Sequence, residues 1–272
     1  MPKTLMIAGC GDVGSRLARS LEPSGWTLYG LRRDVAQLPA GVLPVAGDLQ
    51  QPACPPAWPQ GQLDYLVYCV AASQHDEAGY RSAYVEGLRH VLAWLVERGQ
   101  RPQRLLFVSS SGVYAQADGE WVDEQSPAEA SSYSGRVMRE AEQLALDSGL
   151  PATLVRLTGI YGPGRQWLLN QVRQGYRVAS EPPLYGNRIH ADDAAGLLAF
   201  LFVLYRFTHV SRAVLFWAAF VLTRPLGAVV GDFLDKPVAA GGLALSRYVA
   251  TAVLAAAIVI LVAALPQRAA TS

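Results

Sequence analysis

The sequence predicts an α/β fold, with a doubly wound parallel sheet in residues 1–199 and an all-α hydrophobic, transmembrane segment over 200–272. Short apolar runs alternate with amphipathic helical patterns, which is typical of parallel strands joined by right-handed crossovers. The first apolar run leads through a glycine-rich turn directly into a helical pattern. Charge then becomes sparse: the chain has 23 basic and 22 acidic residues, but only eight of them lie in 194–272.

Composition argues against several classes of protein. A net charge of +1 and a pI near 7.7 are unlike the basic excess of general nucleic-acid-binding proteins. The three cysteines, Cys10, Cys54 and Cys69, lack metal-ligand spacing, so we expect free thiols and no metal site. The opening residues MPKTLMIAGCG do not have the composition of a secretory signal. We therefore expect the first domain to lie in the cytoplasm.

The first predicted strand and helix flank a glycine motif. The apolar run 5–8 is followed by GCGDVG at 9–14 and then by apolar residues at helical spacing. In such a motif the first glycine permits a tight turn, the second lets a diphosphate approach, and the third lets helix pack on strand. The helix N-terminus offers unpaired N–H groups to the phosphate. We expect dinucleotide binding, rather than a bare glycine turn, by Gly9, Gly11, Asp12, Val13 and Gly14.

The second predicted strand, 27–31, ends in Arg32 and Arg33. An acid at the end of this strand binds the ribose 2′-hydroxyl of NAD, whereas an arginine accommodates the 2′-phosphate of NADP. Arg32 occupies the place of the acid, so we favour NADP. NAD remains the alternative because Asp34 is close, and the two arginines could also simply cap an exposed strand end.

The next predicted strands supply further cofactor contacts. The third strand ends at GDL, 47–49, where the aspartate either accepts a hydrogen bond from an adenine amino group or serves as a turn residue. The fourth strand, from Asp64, ends in small residues, as required where a nicotinamide ribose passes close. An amphipathic helix over 84–97 and a fifth strand over 104–109 follow. These strand ends predict cofactor contacts from Asp48, Leu49, Val70, Ala71 and Ala72.

Together these segments resemble the extended short-chain dehydrogenase/reductase family, in its NAD-dependent epimerase/dehydratase branch. The resemblance covers about residues 3–200. It implies a Rossmann fold that binds NAD(P), and an oxidoreductase or epimerase that acts on a carbonyl or a sugar-nucleotide-like substrate. The segments that carry it are IAGCGDVG at 7–14, GDL at 47–49, FVSSSGVY at 107–114, VRLTGIYGPGR at 155–165 and NRIHADDAAGLL at 187–198.

The resemblance also implies a catalytic pair. In the family a serine or threonine polarises the substrate carbonyl, and this residue corresponds to Ser110. A tyrosine on the following helix acts as general acid/base, and this residue corresponds to Tyr133. The family has a lysine four residues later that lowers the pKa of the tyrosine, but Val137 occupies that position here. Tyr133 is therefore either catalytic, with help from Arg136, or a structural aromatic residue at a helix start.

The tail resembles the end of uncharacterised bacterial multi-span membrane proteins. The uncharged stretch 248–265 is long enough to cross a bilayer, and 213–230 is a second candidate span, interrupted at Arg224. We expect this tail to contact the lipid bilayer and the first domain to face the cytoplasm; without insertion the whole chain would be cytoplasmic. The matching segments are TRPLGA at 223–228, GD at 231–232 and GGL at 241–243.

The junction of the two halves leaves three interpretations open. The chain is a membrane-tethered NAD(P)-dependent enzyme, a non-catalytic dinucleotide-binding module, or an inactive fusion from recombination, a frameshift or misassembled DNA. The helix predicted from Asp193 runs into the tail without a linker, and the tail stands where the family has its substrate lobe. The missing lysine and the missing lobe favour the second and third interpretations.

Overall fold

The computed structural model describes residues 3–22, 25–165, 167–175, 177 and 186–207. The chain divides between residues 199 and 200 into two units, and the second is described only over 200–207. The two spans predicted for the tail lie outside the described residues. Within the described ranges, every helix falls short of the length and apolar character that crossing a bilayer requires.

Six parallel strands form the central sheet of the first unit. The strands are β1 Thr4–Ala8, β2 Thr27–Arg32, β3 Val42–Ala46, β4 Tyr65–Tyr68, β5 Arg104–Ser110 and β6 Ala152–Leu157. Their spatial order is β3-β2-β1-β4-β5-β6, and every neighbouring pair is parallel. The order reverses between β1 and β4, and ligands of open α/β sheets bind at such a switch point. The predicted doubly wound sheet is thereby confirmed.

Helices cover the sheet, and a second sheet of two short parallel strands follows it. The first strand, β1, is a continuous apolar run because it is buried on both faces, and its residues Leu5 to Ala8 are fully buried. The helices are α1 Asp12–Leu21, α2 Glu77–Tyr80, α3 Gly87–Glu97, α4 Tyr133–Leu146, α5 Trp167–Arg173 and α6 Ala191–Phe207, and the added strands are β7 Gly159–Tyr161 and β8 Arg188–His190.

The helix predicted over 84–97 begins earlier than the sequence indicated. It starts with α2, continues through a π-helical turn, Arg81–Glu86, and ends with α3. The start is fixed by Asp76, whose side chain accepts a hydrogen bond of 2.7 Å from the backbone N–H of Gly79. The apolar spacing alone begins at Tyr84 and did not reveal this cap. The extra turns matter because they border the cavity described below.

The proline-rich segment 50–60 is a loop, as predicted, but it is anchored to the core. Trp58 is 1% exposed and packs edge-on against Trp94, with ring centroids 5.4 Å apart. The indole N–H of Trp58 donates to the side chain of Gln100 at 2.8 Å, and that of Trp94 donates to the carbonyl of Pro52 at 2.7 Å. These bonds fix the loop beside the carboxyl end of β3.

Candidate functional site

A cavity of about 710 Å³ lies along the carboxyl edge of the sheet. This volume is within the usual range for a small-molecule site. All six strands contribute residues from their carboxyl ends or from the loops that follow, so the cavity crosses the switch point of the sheet. Representative lining residues, one for each strand in chain order, are Gly9, Arg33, Gly47, Cys69, Ser110 and Thr158.

The three glycines of the first loop meet different steric demands. Gly9 has φ +86°, and a Cβ there would lie 2.6 Å from Cγ1 of Val70, so a side chain is excluded. A Cβ on Gly14 would approach Cγ2 of Ile7 to 3.0 Å, because α1 packs closely on β1. Gly11 lines the cavity, and a Cβ there would have no neighbour closer than 4.0 Å. Its hydrogen atoms leave the backbone open to a ligand.

Most residues predicted to contact a cofactor surround this cavity. Gly14 and Ala72 are the two that do not line it: Gly14 packs under the loop, and the backbone of Ala72 hydrogen-bonds the phenol of Tyr84. The predicted residues that do line it are Gly9, Gly11, Asp12, Val13, Arg32, Arg33, Asp48, Leu49, Val70 and Ala71.

The end of β2 forms one end of the cavity. The guanidinium of Arg32 donates to the carbonyl of Cys10 at 3.2 Å and to Oε1 of Gln37 at 2.6 Å. The amide of Gln37 in turn donates to Asp34 at 2.6 Å, and the backbone N–H of Ala36 donates to the same carboxylate at 3.2 Å. Arg32, Asp34 and Gln37 all line the cavity. Sequence reasoning missed Gln37, which a short 3₁₀ turn brings beside the arginine.

The other end of the cavity contains Ser110 but not Tyr133. The Oγ of Ser110 accepts a hydrogen bond of 3.1 Å from the backbone N–H of Gly112. Tyr133 donates its hydroxyl to the carbonyl of His75, and its ring packs edge-on against Tyr80, which lines the cavity. Burial raises the pKa of the nearby Tyr84 to about 12, so this phenol is protonated near neutral pH. Of the two predicted catalytic residues, Ser110 thus lines the cavity and Tyr133 does not.

The lysine that the family pattern requires has no replacement in the described part of the chain. The chain has two lysines: Lys236 lies outside the described residues, and Lys3 pairs with Asp64 at 2.7 Å beside the amino end of β1. Val137 is 1% exposed and belongs to the hydrophobic core. Arg136, the possible substitute, donates to the carbonyl of Ser131 and not to Tyr133.

A buried ionic network lies beneath the Ser110 end of the cavity. The carboxylate of Glu142 is 0% exposed and accepts hydrogen bonds of 2.7–2.8 Å from Ser109, Arg139 and both Nε and Nη2 of Arg156. Burial opposes ionisation of Glu142, but these bonds outweigh it and hold the pKa of its carboxyl below the usual value. Arg156 also donates to the phenol of Tyr114 at 2.9 Å. The network fixes the end of β5 to α4 and β6.

Sequence reasoning missed this network, although a signal was present. Glu142 lies on the same helix face as Met138, Ala141 and Ala145, which are buried. A carboxylate at the centre of an apolar helix face requires a partner, because an unpaired buried charge is costly. Its principal partner, Arg156, is the first of the two arginines in the VRLTGIYGPGR segment.

A second set of ion pairs connects the glycine loop to the segment after β7. Arg165 donates through Nε to Asp12 at 2.8 Å, and Arg16 donates through Nε to the other oxygen of the same carboxylate at 2.8 Å. Arg16 also pairs with Asp192 at the start of α6. Burial raises the pKa of Asp12, but the hydrogen bonds from Arg165 and Arg16 outweigh it and the net shift is downward.

Comparison with known families agrees with the architecture and the glycine loop. The model of the NAD dependent epimerase/dehydratase family matches residues 5–202. The chain belongs to the NAD-dependent epimerase/dehydratase family. A second family model, a repeat of unknown function (DUF347), matches residues 215–268 of the same chain. The family predicted for the first domain is confirmed, and the membrane character of the tail stays a prediction.

Individual relatives of the chain agree with the family assignment. Protein YeeZ of Escherichia coli (strain K12) is 28% identical over 215 residues, which are 73% of each chain. The structure of a proposed NAD-dependent epimerase/dehydratase from Methylobacillus flagellatus is 36% identical, with a TM-score of 0.59, over 78% of this chain and 74% of that one. MoeE5 in complex with UDP-glucuronic acid and NAD shares the fold, with 22% identity and a TM-score of 0.61 over 77% and 73% of the two chains.

Proposed function

We propose that the first domain binds NADP(H), with NAD(H) as the weaker ligand, and that it holds the dinucleotide without the family's tyrosine–lysine proton transfer. The observation that carries the proposal is the cavity at the sheet switch point, which is bordered by the glycine loop and by Arg32. The residues present fit a dinucleotide. Gly11 leaves the backbone open, the N-terminus of α1 attracts a diphosphate, and small residues follow β4.

The surroundings of Arg32 support NADP over NAD. Three hydrogen bonds orient its guanidinium at the end of β2: one to the Cys10 carbonyl, one to the Gln37 carbonyl and one to the Gln37 side chain. A 2′-phosphate there would receive charge-assisted hydrogen bonds from Arg32 and from Arg33. Asp34, the acid that could instead bind a ribose hydroxyl, already accepts bonds at both carboxylate oxygens within the described residues.

The reaction that this cofactor supports in the family is hydride transfer at the nicotinamide ring. The chain's own residues would hold the nicotinamide end between the small residues after β4 and the loop after β6. Tyr80 and Tyr84 border that end, with their ring centroids 5.3 Å apart. Because Val137 occupies the lysine position, the described residues would orient the nicotinamide ring but would not supply the cation that activates Tyr133.

Titration of the full chain with NADPH and with NADH, followed by nucleotide fluorescence, tests this proposal. We expect NADPH to bind about tenfold more tightly, in line with the loss of charge-assisted hydrogen bonds in NADH. Arg32→Gln should remove the preference by weakening NADPH alone. Arg19→Gln, on the exposed face of α1, is the matched control and should change neither affinity. Binding of neither nucleotide would disprove the proposal, and equal affinities in the wild type would disprove the preference for NADP.

A second candidate function is the reduction or epimerisation of a carbonyl or sugar-nucleotide-like substrate. One observation favours it: Ser110 lines the cavity, and its Oγ accepts from Gly112. This bond leaves the hydroxyl hydrogen available to donate to a substrate carbonyl oxygen. In this alternative Ser110 would polarise the carbonyl, and a proton would have to come from a group other than a lysine-activated tyrosine.

A further inference from the structure

Arg165 lies at the end of a constrained turn that reaches the cavity. The turn follows β7 and contains Gly162 and Gly164, both with positive φ. It is closed by a hydrogen bond of 3.0 Å from the N–H of Arg165 to the carbonyl of Gly162. A Cβ on Gly162 would lie 2.9 Å from Nε2 of His190, so the turn also packs closely against β8. The guanidinium of Arg165 is therefore carried by a fixed backbone.

Arg165 faces the part of the cavity where a diphosphate would lie. Its Nε bonds to Asp12, the first residue of α1, and both residues line the cavity together with Gly11 and Val13. Arg32 and Arg33, the other cations of the lining, stand at the end of β2. Of the described cavity-lining cations, Arg165 is thus the one that forms an ion pair with the glycine loop, whereas Arg32 contacts the loop through the carbonyl of Cys10.

The charge balance at the start of α1 requires such a cation. The helix N-terminus attracts a diphosphate, but the carboxylate of Asp12 at the same position repels it. Arg16 and Arg165 each bond one oxygen of this carboxylate, and only Arg165 also lines the cavity. The bond to Asp12 uses Nε of Arg165, and within the described part of the chain its two Nη groups have no hydrogen-bond partner.

We propose that Arg165 binds the diphosphate of the dinucleotide through its Nη groups, while Nε keeps the bond to Asp12. The diphosphate then lies between the amide groups of the glycine loop on one side and the guanidinium on the other. A planar guanidinium suits this role because it can donate parallel bonds to phosphate oxygens. This inference rests on the proposed function and adds a binding residue that lies far along the chain from the glycine motif.

The test compares Arg165→Gln with Arg16→Gln, because both variants remove one arginine from the same carboxylate. Arg165→Gln should weaken the binding of NADPH, NADH and ADP by a similar factor of about ten, since all three carry a diphosphate that would lose its charge-assisted hydrogen bonds to Arg165. Arg16→Gln should change each affinity less than threefold. Adenosine, which has no phosphate, should bind the wild type and both variants equally.

Several outcomes separate this inference from the proposed function. A wild-type chain that binds no dinucleotide contradicts the proposed function itself. A wild type that binds, together with an Arg165→Gln variant of unchanged affinity for ADP, overturns the role of Arg165 alone. If Arg165→Gln does not fold, Asp12→Asn/Arg165→Gln leaves no carboxylate unpaired and is compared with Asp12→Asn. The same tenfold loss is then expected, and equal affinities would overturn the inference.

Discussion

The two ends of the cavity differ in how completely they follow the family pattern. At the end bordered by the glycine loop and β2, which we call the cofactor end, Gly9 has the required positive φ, Gly11 is open to a ligand and Arg32 lines the cavity. At the reaction end, Ser110 is in place, but Val137 replaces the lysine. The residues at the cofactor end therefore follow the family pattern more completely than those at the reaction end.

The physical reason lies in what each end is made of. The glycine loop of the cofactor end depends on backbone amides and on the absence of side chains, so a short motif directly after β1 is enough to build that loop. The reaction end depends on hydroxyl and cationic groups held by three elements, β5, α4 and β6, which the Glu142 network connects. With Val137 at the position of the family's lysine, the Glu142 network still connects these three elements.

The largest expected effect follows from removing the charge at the centre of the reaction end. Glu142→Gln leaves Arg156 and Arg139 without their buried carboxylate, and breaking a buried ion pair costs about 3–5 kcal/mol of unfolding free energy. Glu140→Gln on the same helix is the control, because the pair with Arg81 is exposed and contributes about 1 kcal/mol or less. Urea unfolding of the full chain at neutral pH measures both.

The effect of Glu142→Gln can also be tested by measuring how the unfolding free energy depends on pH. The folded-state pKa of Glu142 is lowered, so its contribution is fully present above the unfolded-state pKa, about 4.3, and is lost as pH falls through the folded-state pKa. The difference between wild type and Glu142→Gln should therefore be largest near pH 7 and should shrink below about pH 4. A difference that is small at pH 7, or constant with pH, would mean that the carboxylate does not hold the reaction end together.

The sequence predicted the parallel sheet because its strands depend on local signals. Most residues predicted to contact a cofactor line one cavity, and their contact with a cofactor stays a prediction. Apolar strands with glycine at their carboxyl ends are short patterns, and each lies within a few residues of the group it positions. The reaction end was predicted only in part. Ser110 and Tyr133 follow from motifs, but the direction of the Tyr133 hydroxyl toward His75 depends on the early helix start at Glu77, which apolar spacing does not reveal.

Long-range ion pairs were the other features that sequence reasoning could not place. Glu142 and Arg156 are 14 residues apart and meet only because α4 packs over the neighbouring strands β5 and β6. Asp12 and Arg165 are 153 residues apart in the sequence and form a hydrogen bond in the lining of the cavity. Charge alone does not select such partners, since the chain offers 22 acidic and 23 basic residues. Burial on an apolar helix face was the one usable signal, and it applied to Glu142.

Restoring the family's lysine should give the next largest effect. Val137→Lys places an ammonium group at a position that is 1% exposed and surrounded by core residues, so we expect a loss of about 2–4 kcal/mol of unfolding free energy. Val137→Met, which has a similar length without the charge, should cost about 1–3 kcal/mol. Thermal unfolding of both variants is the measurement. A lysine variant as stable as the methionine one, with new NADPH-dependent turnover, would show that the two ends differ by this one residue.

The smallest expected effect on stability is that of Tyr133→Phe, and turnover then distinguishes the two hydroxyls predicted to be catalytic. Tyr133→Phe removes a hydrogen bond to the His75 carbonyl and should cost about 1 kcal/mol of unfolding free energy. It should leave NADPH affinity and any turnover within twofold, because Tyr133 does not line the cavity. Ser110→Ala alters a hydroxyl that does line the cavity and should abolish turnover of any carbonyl or sugar-nucleotide substrate that the wild type accepts.

Kinetics on a panel of such substrates, with NADPH consumption as the readout, decides between these roles. Activity that survives Tyr133→Phe but not Ser110→Ala means that carbonyl polarisation is retained while the proton comes from elsewhere. Activity that is lost in Tyr133→Phe means that the phenol turns from His75 into the cavity when substrate is bound, and the two ends would then be equally complete. The full absence of turnover in the wild type, with NADPH bound, leaves the dinucleotide-binding module as the function.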